Sequence, residues 1–353
     1  MKSPNINTDF VSIHTLKDTP SEKLDLFTDE GRFADDLAAH GLELLISNKG
    51  TFESGRALNV TRTDEGVSAY VPSIAEGEIS AMHVRLIGKV NVSGSEDVLK
   101  VNDNSLKALA GSKYELYKQV LVGEQVETHF VSMQPNDFDV ISDMIDAIAT
   151  DNVVLKSNSG SGGHTTKIQT KKAAIQWVRE NMSETNAIPQ ILQAQVIPGP
   201  IPDSVRGVDE YGKHLTERAR KEGLLYELRM FAIKRGENCD MVPVLRVVPD
   251  KDLPMKGTND DYLDVELDSE LFAALALSAK KIMDDVCQKS NAGDFALGAI
   301  DYYFDENGIP HVMEANLRSP QLPSTNDTPI AGRNAHKALA LSFREMIDQR
   351  KES

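Results

Sequence analysis

Between residues 295 and 320 the chain alternates, with Leu297, Ala299, Asp301 and Tyr303 on one side of an extended segment and Gly298, Ile300, Tyr302 and Phe304 on the other. Asp305-Glu306-Asn307-Gly308 supplies a turn, and a second strand over 309–314 completes a predicted β-hairpin. With Phe304 set against Ile309, Asp301 stands opposite Val312, and Glu314 and Asn316 continue on that face at the strand period. Asp301 and Glu314 are then diagonal neighbours, roughly 7–8 Å apart at the backbone and able to reach one ion. Two carboxylates and an amide are hard oxygen donors of the kind that suit Mg2+. The plainer alternative is an exposed acidic hairpin. Against it, Glu314 interrupts an apolar run (Val312, Met313, Ala315), where an unpaired charge is costly.

Upstream the pattern is mixed. Residues 1 to about 100 alternate strands and helices, with 11–13 extended, a helix over 32–40, a strand over 42–47 and strands or loops over 55–71 and 79–92. Asn104 caps a predicted helix over 104–121, in which Leu106, Leu109, Ala110, Tyr117, Val120 and Leu121 recur at helical spacing and Lys113 lies mid-helix. Lys113 alone reads as a solvated lysine. Over 151–168 a short apolar strand ends in Lys156, and the loop Ser159, Gly160, Ser161, Gly162, Gly163 follows before another extended piece. Such glycines let backbone N–H groups approach phosphate oxygens while the lysine adds a point charge; a flexible hairpin is the alternative. The order is neither GxxxxGK[ST] nor GxGxxG. Thr170 caps the next helix, and a strand over 191–197 breaks at Pro198-Gly199-Pro200, a candidate interdomain hinge. There a purine would find backbone donors and acceptors between walls such as Leu192 and Val196; a buried structural strand has the same pattern.

The polar stretch 203–223 reads as a lid or a surface decoration. A hairpin around Gly236 is predicted over 225–248, where Arg229 and Arg246 interrupt apolar strands. Each guanidinium there needs a carboxylate or phosphate partner, and ion pairs with Glu227 are the structural alternative. Helices from Ser269 and over 334–349 complete the chain.

Composition narrows the function. With 353 residues there is room for two or three compact units. A net charge of −16 and a pI near 5.0 argue against nucleic acid as a partner. Cys239 and Cys287 lack CxxC spacing, so neither a zinc site nor a disulfide framework is indicated, and a cytoplasmic location is expected. No stretch has signal-peptide or membrane-spanning character. Homo-oligomerisation stays open.

Taken in order, Lys113, Lys156 with its glycine loop, the 191–199 hinge, Glu227 with Arg229, Arg246, then Asp301, Glu314 and Asn316 resemble the ATP-grasp superfamily. The ending EANLRSP is similar to the Glu-x-Asn-x-x-Ser-Pro of the branch holding glutathione synthetase and D-alanine:D-alanine ligase. The likeness spans residues 104–320. It implies an α+β ATP-grasp fold: a smaller α/β domain over 1–103, a small subdomain over 104–190 and a large one over 191–353. It further implies ATP and two Mg2+ ions as cofactors, and a carboxylate joined to an amine through an acyl phosphate. By that resemblance Lys113, Lys156 and the loop Ser159–Gly163 contact the phosphates, Gln195, Val196 and Ile197 face adenine, and Glu227 holds the ribose. Asp301, Glu314 and Asn316 bind the metal, and Arg229 and Arg246 act on the substrate carboxylate and the phosphoryl group. Glu227 departs from the aspartate of glutathione synthetase, and the stretch 203–223 is long. A phosphotransferase without ligation, or a nucleotide-binding interaction protein, are the competing readings.

Overall fold

The computed structural model describes residues 9–14, 29–47, 58–63, 66–70, 79–84, 99–102, 104–121, 123, 126, 128–159, 166–185, 187–250, 260–293, 295–317 and 333–352. Among these, three sheets account for all the strands. The first contains β1 (Asp9–His14), β2 (Leu42–Ser47), β3 (Leu58–Thr63), β4 (Gly66–Tyr70), β5 (Ile79–Val84) and β6 (Leu99–Val101), in the order β4-β3-β2-β1-β5-β6. Strand β1 runs parallel to β2 and β5, and helix α1 (Asp29–Ala38) makes the β1-to-β2 crossover, as an α/β unit requires.

Two short helices follow where one was expected. Helix α2 (Asn104–Ala110) stops before Gly111, and α3 (Lys113–Leu116) starts afresh and widens into a π-helical turn over Tyr117–Leu121. The Ser112 hydroxyl accepts the Glu115 N–H at 3.2 Å and caps α3, so Lys113 is its first residue and not a mid-helix one. Leu106, Leu116 and Leu121 pack into the core of the third sheet.

The second sheet is antiparallel: β7 (Thr128–Val131), β8 (Asn152–Ser157), β9 (Lys167–Thr170) and β10 (Gln190–Ala194), ordered β7-β10-β8-β9. Helices α4 (Phe138–Ala147) and α5 (Lys171–Asn181) cover one face through Ile141, Ile145, Ala174 and Val178 against Val153, Leu155 and Leu192. Strand alternation leaves Asn152, Val154 and Lys156 on the other face.

The third sheet carries β11 (Val205–Gly207), β12 (Tyr226–Arg235), β13 (Asn238–Val247), β14 (Asp261–Leu267), β15 (Phe295–Phe304) and β16 (Pro310–Asn316), ordered β11-β14-β13-β12-β15-β16 and antiparallel throughout. Gly236 turns β12 into β13 at φ +55°. One face packs Leu228, Met230, Ala232, Ile300 and Tyr302 against helix α7 (Ser269–Ser290). The opposite face packs Phe231, Ile233, Leu297 and Ala299 against α1 and helix α8 (Arg333–Glu352) through Phe33, Leu339 and Phe343. With both faces covered, β12 is buried from Tyr226 to Lys234.

The stretch 203–223 is neither lid nor decoration. It forms β11 at the sheet edge and α6 (Glu210–Glu222), whose Leu215 and Ala219 enter the core. Arg220 donates to the carbonyls of Ile201, Pro202 and Val205 at 2.8, 2.9 and 3.0 Å and fastens the segment from within. No helix among the described residues is long and apolar enough to cross a membrane.

Asn102 joins the first sheet to the third. It sits at φ +55° and is 1% exposed; its amide donates to the Leu297 and Leu317 carbonyls at 2.8 and 3.0 Å and accepts the Leu297 N–H at 2.7 Å. Alanine there leaves those buried backbone groups unmet in a backbone region that alanine disfavours. Asn102→Ala is expected to cost about 3 kcal/mol in urea unfolding, and a change below about 0.5 kcal/mol contradicts this account of the joint.

Candidate functional site

Arg229, Asp301, Glu314 and Asn316, candidates from the sequence, occupy one end of the third sheet, on the face that elsewhere packs α1 and α8. The β15–β16 register differs from the expected one. Phe304 pairs with Pro310 and Tyr302 with Val312, and a bulge at Met313 then brings Asp301 directly opposite Glu314. The extra residue flips the alternation, so Glu314 parts company with Val312 and joins the Asp301 face. Asn316 donates its amide to Asp301 Oδ2 at 2.8 Å and completes the trio.

Arg229, Asp301 and Glu314 form one cross-strand row over β12, β15 and β16. The guanidinium grips Asp301 in a fork, Nε to Oδ1 at 2.6 Å and Nη2 to Oδ2 at 2.9 Å, while Nη2 also reaches Glu227 Oε1 at 3.1 Å. Arg246, paired across the strands with Glu227, donates to that same oxygen and to Asp260. Burial would strip Arg229 of its charge, but the adjoining Asp301 outweighs it and holds its pKa above the usual arginine value. In Arg246, too, burial opposes the charge and Tyr262, Asp301 and Asp260 overcome it. Arg246 Nε is buried and makes no hydrogen bond among the described residues.

Two lysines reach this row from other elements. Lys156, on the uncovered face of β8, places Nζ 3.8 Å from Glu314 Oε2. Lys113, heading α3, donates to Oε1. Glu314 therefore holds one ammonium group on each carboxylate oxygen. Burial by itself would raise the Glu314 pKa, yet Lys156 and Lys113 override it and pull the group from its ordinary 4.5 to about 2. Burial also lowers the Lys156 pKa, with repulsion from Lys113 assisting and Glu314 opposing.

The sign of the linkage follows. The Glu314 carboxyl binds its proton more weakly folded than unfolded, so its contribution is present above its ordinary 4.5 and lost as pH falls through about 2. Glu314→Gln is expected to cost on the order of 3 kcal/mol at neutral pH, a gap that closes on acidification. Urea unfolding of both proteins across that window checks this, and a gap independent of pH contradicts it.

The remaining expected residues make contacts of their own. Strand β10 ends at Ala194. The Gln195 N–H bonds the Asn152 carbonyl at 3.3 Å, and its side-chain oxygen accepts from the Asn152 amide at 2.9 Å. Val196 is half-buried and Ile197 is exposed. Gly199 ends the linker in a fixed seat: its N–H bonds the Phe304 carbonyl at 2.7 Å, its carbonyl accepts the Tyr226 hydroxyl at 2.8 Å, and a Cβ there would meet the Asp305 carbonyl oxygen at 2.1 Å. Ser159 is exposed just past β8, whereas Gly160, Ser161, Gly162 and Gly163 lie outside the described residues. Glu227 sits within the sheet between the two guanidiniums. Asp260, the partner of Arg246, was missed; it precedes its strand in an acidic run that marks no single member.

Among the described residues no group of three His, Cys, Asp or Glu side chains is placed to hold a metal. Two carboxylates and one amide are nonetheless a donor set that suits Mg2+, a cation that keeps water and takes phosphate oxygens to fill its shell. The charges of both carboxylates are at present answered by Arg229, Lys113 and Lys156.

No protein-family model matches the sequence, and no curated protein is a match. Solved structures do match in fold. A D-cycloserine synthetase aligns at TM-score 0.57 and 14% identity over 96% of this chain and 99% of its own. An ATP-grasp ligase from Chryseobacterium gregarium, associated with a RiPP and seen with ADP and a leader and core peptide, aligns at 0.53 and 12% over 97% of each chain. The D-alanine–D-alanine ligase from Coxiella burnetii aligns at 0.52 and 11% over 98% of this chain and 97% of its own. Identities this low establish a shared fold and leave the activity to be argued from the site.

Proposed function

Since this chain has the α+β ATP-grasp fold, we propose that it is an ATP-dependent ligase that joins a carboxylate to an amine and releases ADP and phosphate. The observation that carries this reading is Glu314, its two oxygens met by Lys113 and Lys156 from separate elements and its flank formed by Asp301 on Arg229. Half-buried lysines brought so close together need negative charge between them. Glu314 supplies it in this structure, and the triphosphate of ATP supplies more.

In the reaction a carboxylate oxygen attacks the γ-phosphorus, and the bond to the ADP oxygen breaks. The resulting acyl phosphate is attacked at its carbonyl carbon by the amine, which loses a proton as phosphate departs. Lys113 and Lys156 orient the phosphates and offset charge that spreads over the transferring oxygens. Arg229 and Arg246 are held by Glu227, Asp301 and Asp260, so their forks are set before substrate arrives. Asp301, Glu314 and Asn316 would hold Mg2+, which when bound neutralises phosphate charge and polarises the γ-phosphoryl group. The cleft must exclude water, because water hydrolyses an acyl phosphate. Gln195, Val196 and Ile197 are assigned to the base, and the loop Ser159–Gly163 to the phosphates. The matched structures include ligases of amino acids and of peptides, and amino-acid or peptide carboxylates are the proposed substrates here.

A screen of carboxylate and amine pairs for ADP release tests the reading. ADP that accumulates only when both partners are present supports it. A phosphorylated acid with no amine product supports phosphotransfer instead, and ATP binding without turnover for any pair reduces the protein to a nucleotide binder.

A further inference from the structure

Lys113 and Lys156 belong to different bodies. The first heads α3, which packs by Leu116 into the third sheet's core; the second stands on the second sheet. Their ammonium groups repel one another and lean on opposite oxygens of one carboxylate. Something must fix their spacing if both are to serve the same phosphates. Asn158 is placed to do so, two residues beyond Lys156 and one beyond the end of β8.

Its bonds run almost entirely to the start of α3. The Asn158 carbonyl accepts the Lys113 N–H at 3.0 Å, and Oδ1 accepts the Tyr114 N–H at 2.9 Å. The Ser112 hydroxyl donates to Oδ1 at 3.2 Å while Nδ2 donates to Ser112 Oγ at 3.1 Å, so the residue that caps α3 is itself held by Asn158. In the other direction the Asn158 N–H donates to the Pro189 carbonyl at 3.0 Å, next to β10. One residue therefore occupies two orphan donors at a helix start, the Lys113 N–H by its backbone carbonyl and the Tyr114 N–H by its side chain, and ties them to the strand that carries the second lysine.

We propose that Asn158 is a positioning residue that locks Lys113 and Lys156 into one phosphate clamp across the two bodies. This rests on the reading that both lysines meet the phosphates of ATP. A residue that acts through Lys113 loses its importance once Lys113 is gone, whereas a residue that merely supports the fold weakens every background alike.

The test is calorimetric titration of the full chain with magnesium–ATP, in wild type, Asn158→Leu, Lys113→Met and the double variant, with circular dichroism and thermal midpoints alongside. Asn158→Leu is expected to weaken binding about tenfold in wild type and less than about twofold on top of Lys113→Met. Ser112→Ala, which cuts the same tether from the helix side, is expected to weaken binding about threefold and serves if the leucine variant fails to fold. Unchanged binding in both tether variants, or losses that multiply in full in the double variant, overturn the inference while nucleotide binding stands. Absence of binding by wild type overturns the nucleotide reading and this inference with it.

Discussion

Glu314→Gln is expected to abolish ADP release, by on the order of 1,000-fold or more, while the chain stays folded. The change is isosteric, so what disappears is the charge. Without it, Lys113 and Lys156 face each other across a neutral amide, and the donor set keeps one carboxylate, Asp301, already gripped by Arg229. Turnover falls because charge is lost where the transferring group is held. The stability lost with that charge leaves the chain folded, because the apolar packing around Phe231, Ile233 and Leu297 is untouched. Steady-state ADP release with the substrate pair found by screening, beside a far-ultraviolet spectrum of the variant, makes the comparison. Undiminished release from a folded variant would remove Glu314 from the reaction.

Lys156→Ala is expected to lower turnover by about 100-fold, with weaker binding of ATP as part of the loss. The ammonium stands on a strand, so its position is set by the β8–β10 and β8–β9 ladders. Burial lowers its pKa, and the negative charges of Glu314 and Asp301 oppose that shift. The alanine variant should stay folded at a cost in stability, since Glu314 loses one ammonium and keeps Lys113. Activity assays and thermal unfolding together decide this. An inactive variant that has also unfolded leaves only a structural role, and an active one contradicts the clamp.

The hairpin was legible because alternation and an Asp-Glu-Asn-Gly turn specify it locally, and its three polar donors do gather. Its register was not legible. The bulge at Met313 has no local signature, since a methionine in an extended run gives no sign that it is left out of the pairing. Lys113 could have been placed correctly: Ser112 to Glu115 has the S-x-x-E spacing of a capping box right after a glycine, but the apolar period running through it suggested one helix. The stretch 203–223 was misread by average polarity. Helix α6 shows the core only Leu215, Ala219 and two small neighbours, so the charges on its wide outer face dominated. Glu227 illustrates a different limit, because a carboxylate in a strand reads alike whether it meets a ribose or two arginines, and only the cross-strand pairing with Arg246 shows the second.

The most direct test of the central claim is calorimetric titration of magnesium–ATP into the wild-type chain and into Glu314→Gln and Lys156→Ala. Saturable one-site binding by wild type, weakened at least about tenfold in each variant, is the predicted result. No binding by wild type, or equal affinity in all three proteins, would show that these residues do not converge on a nucleotide.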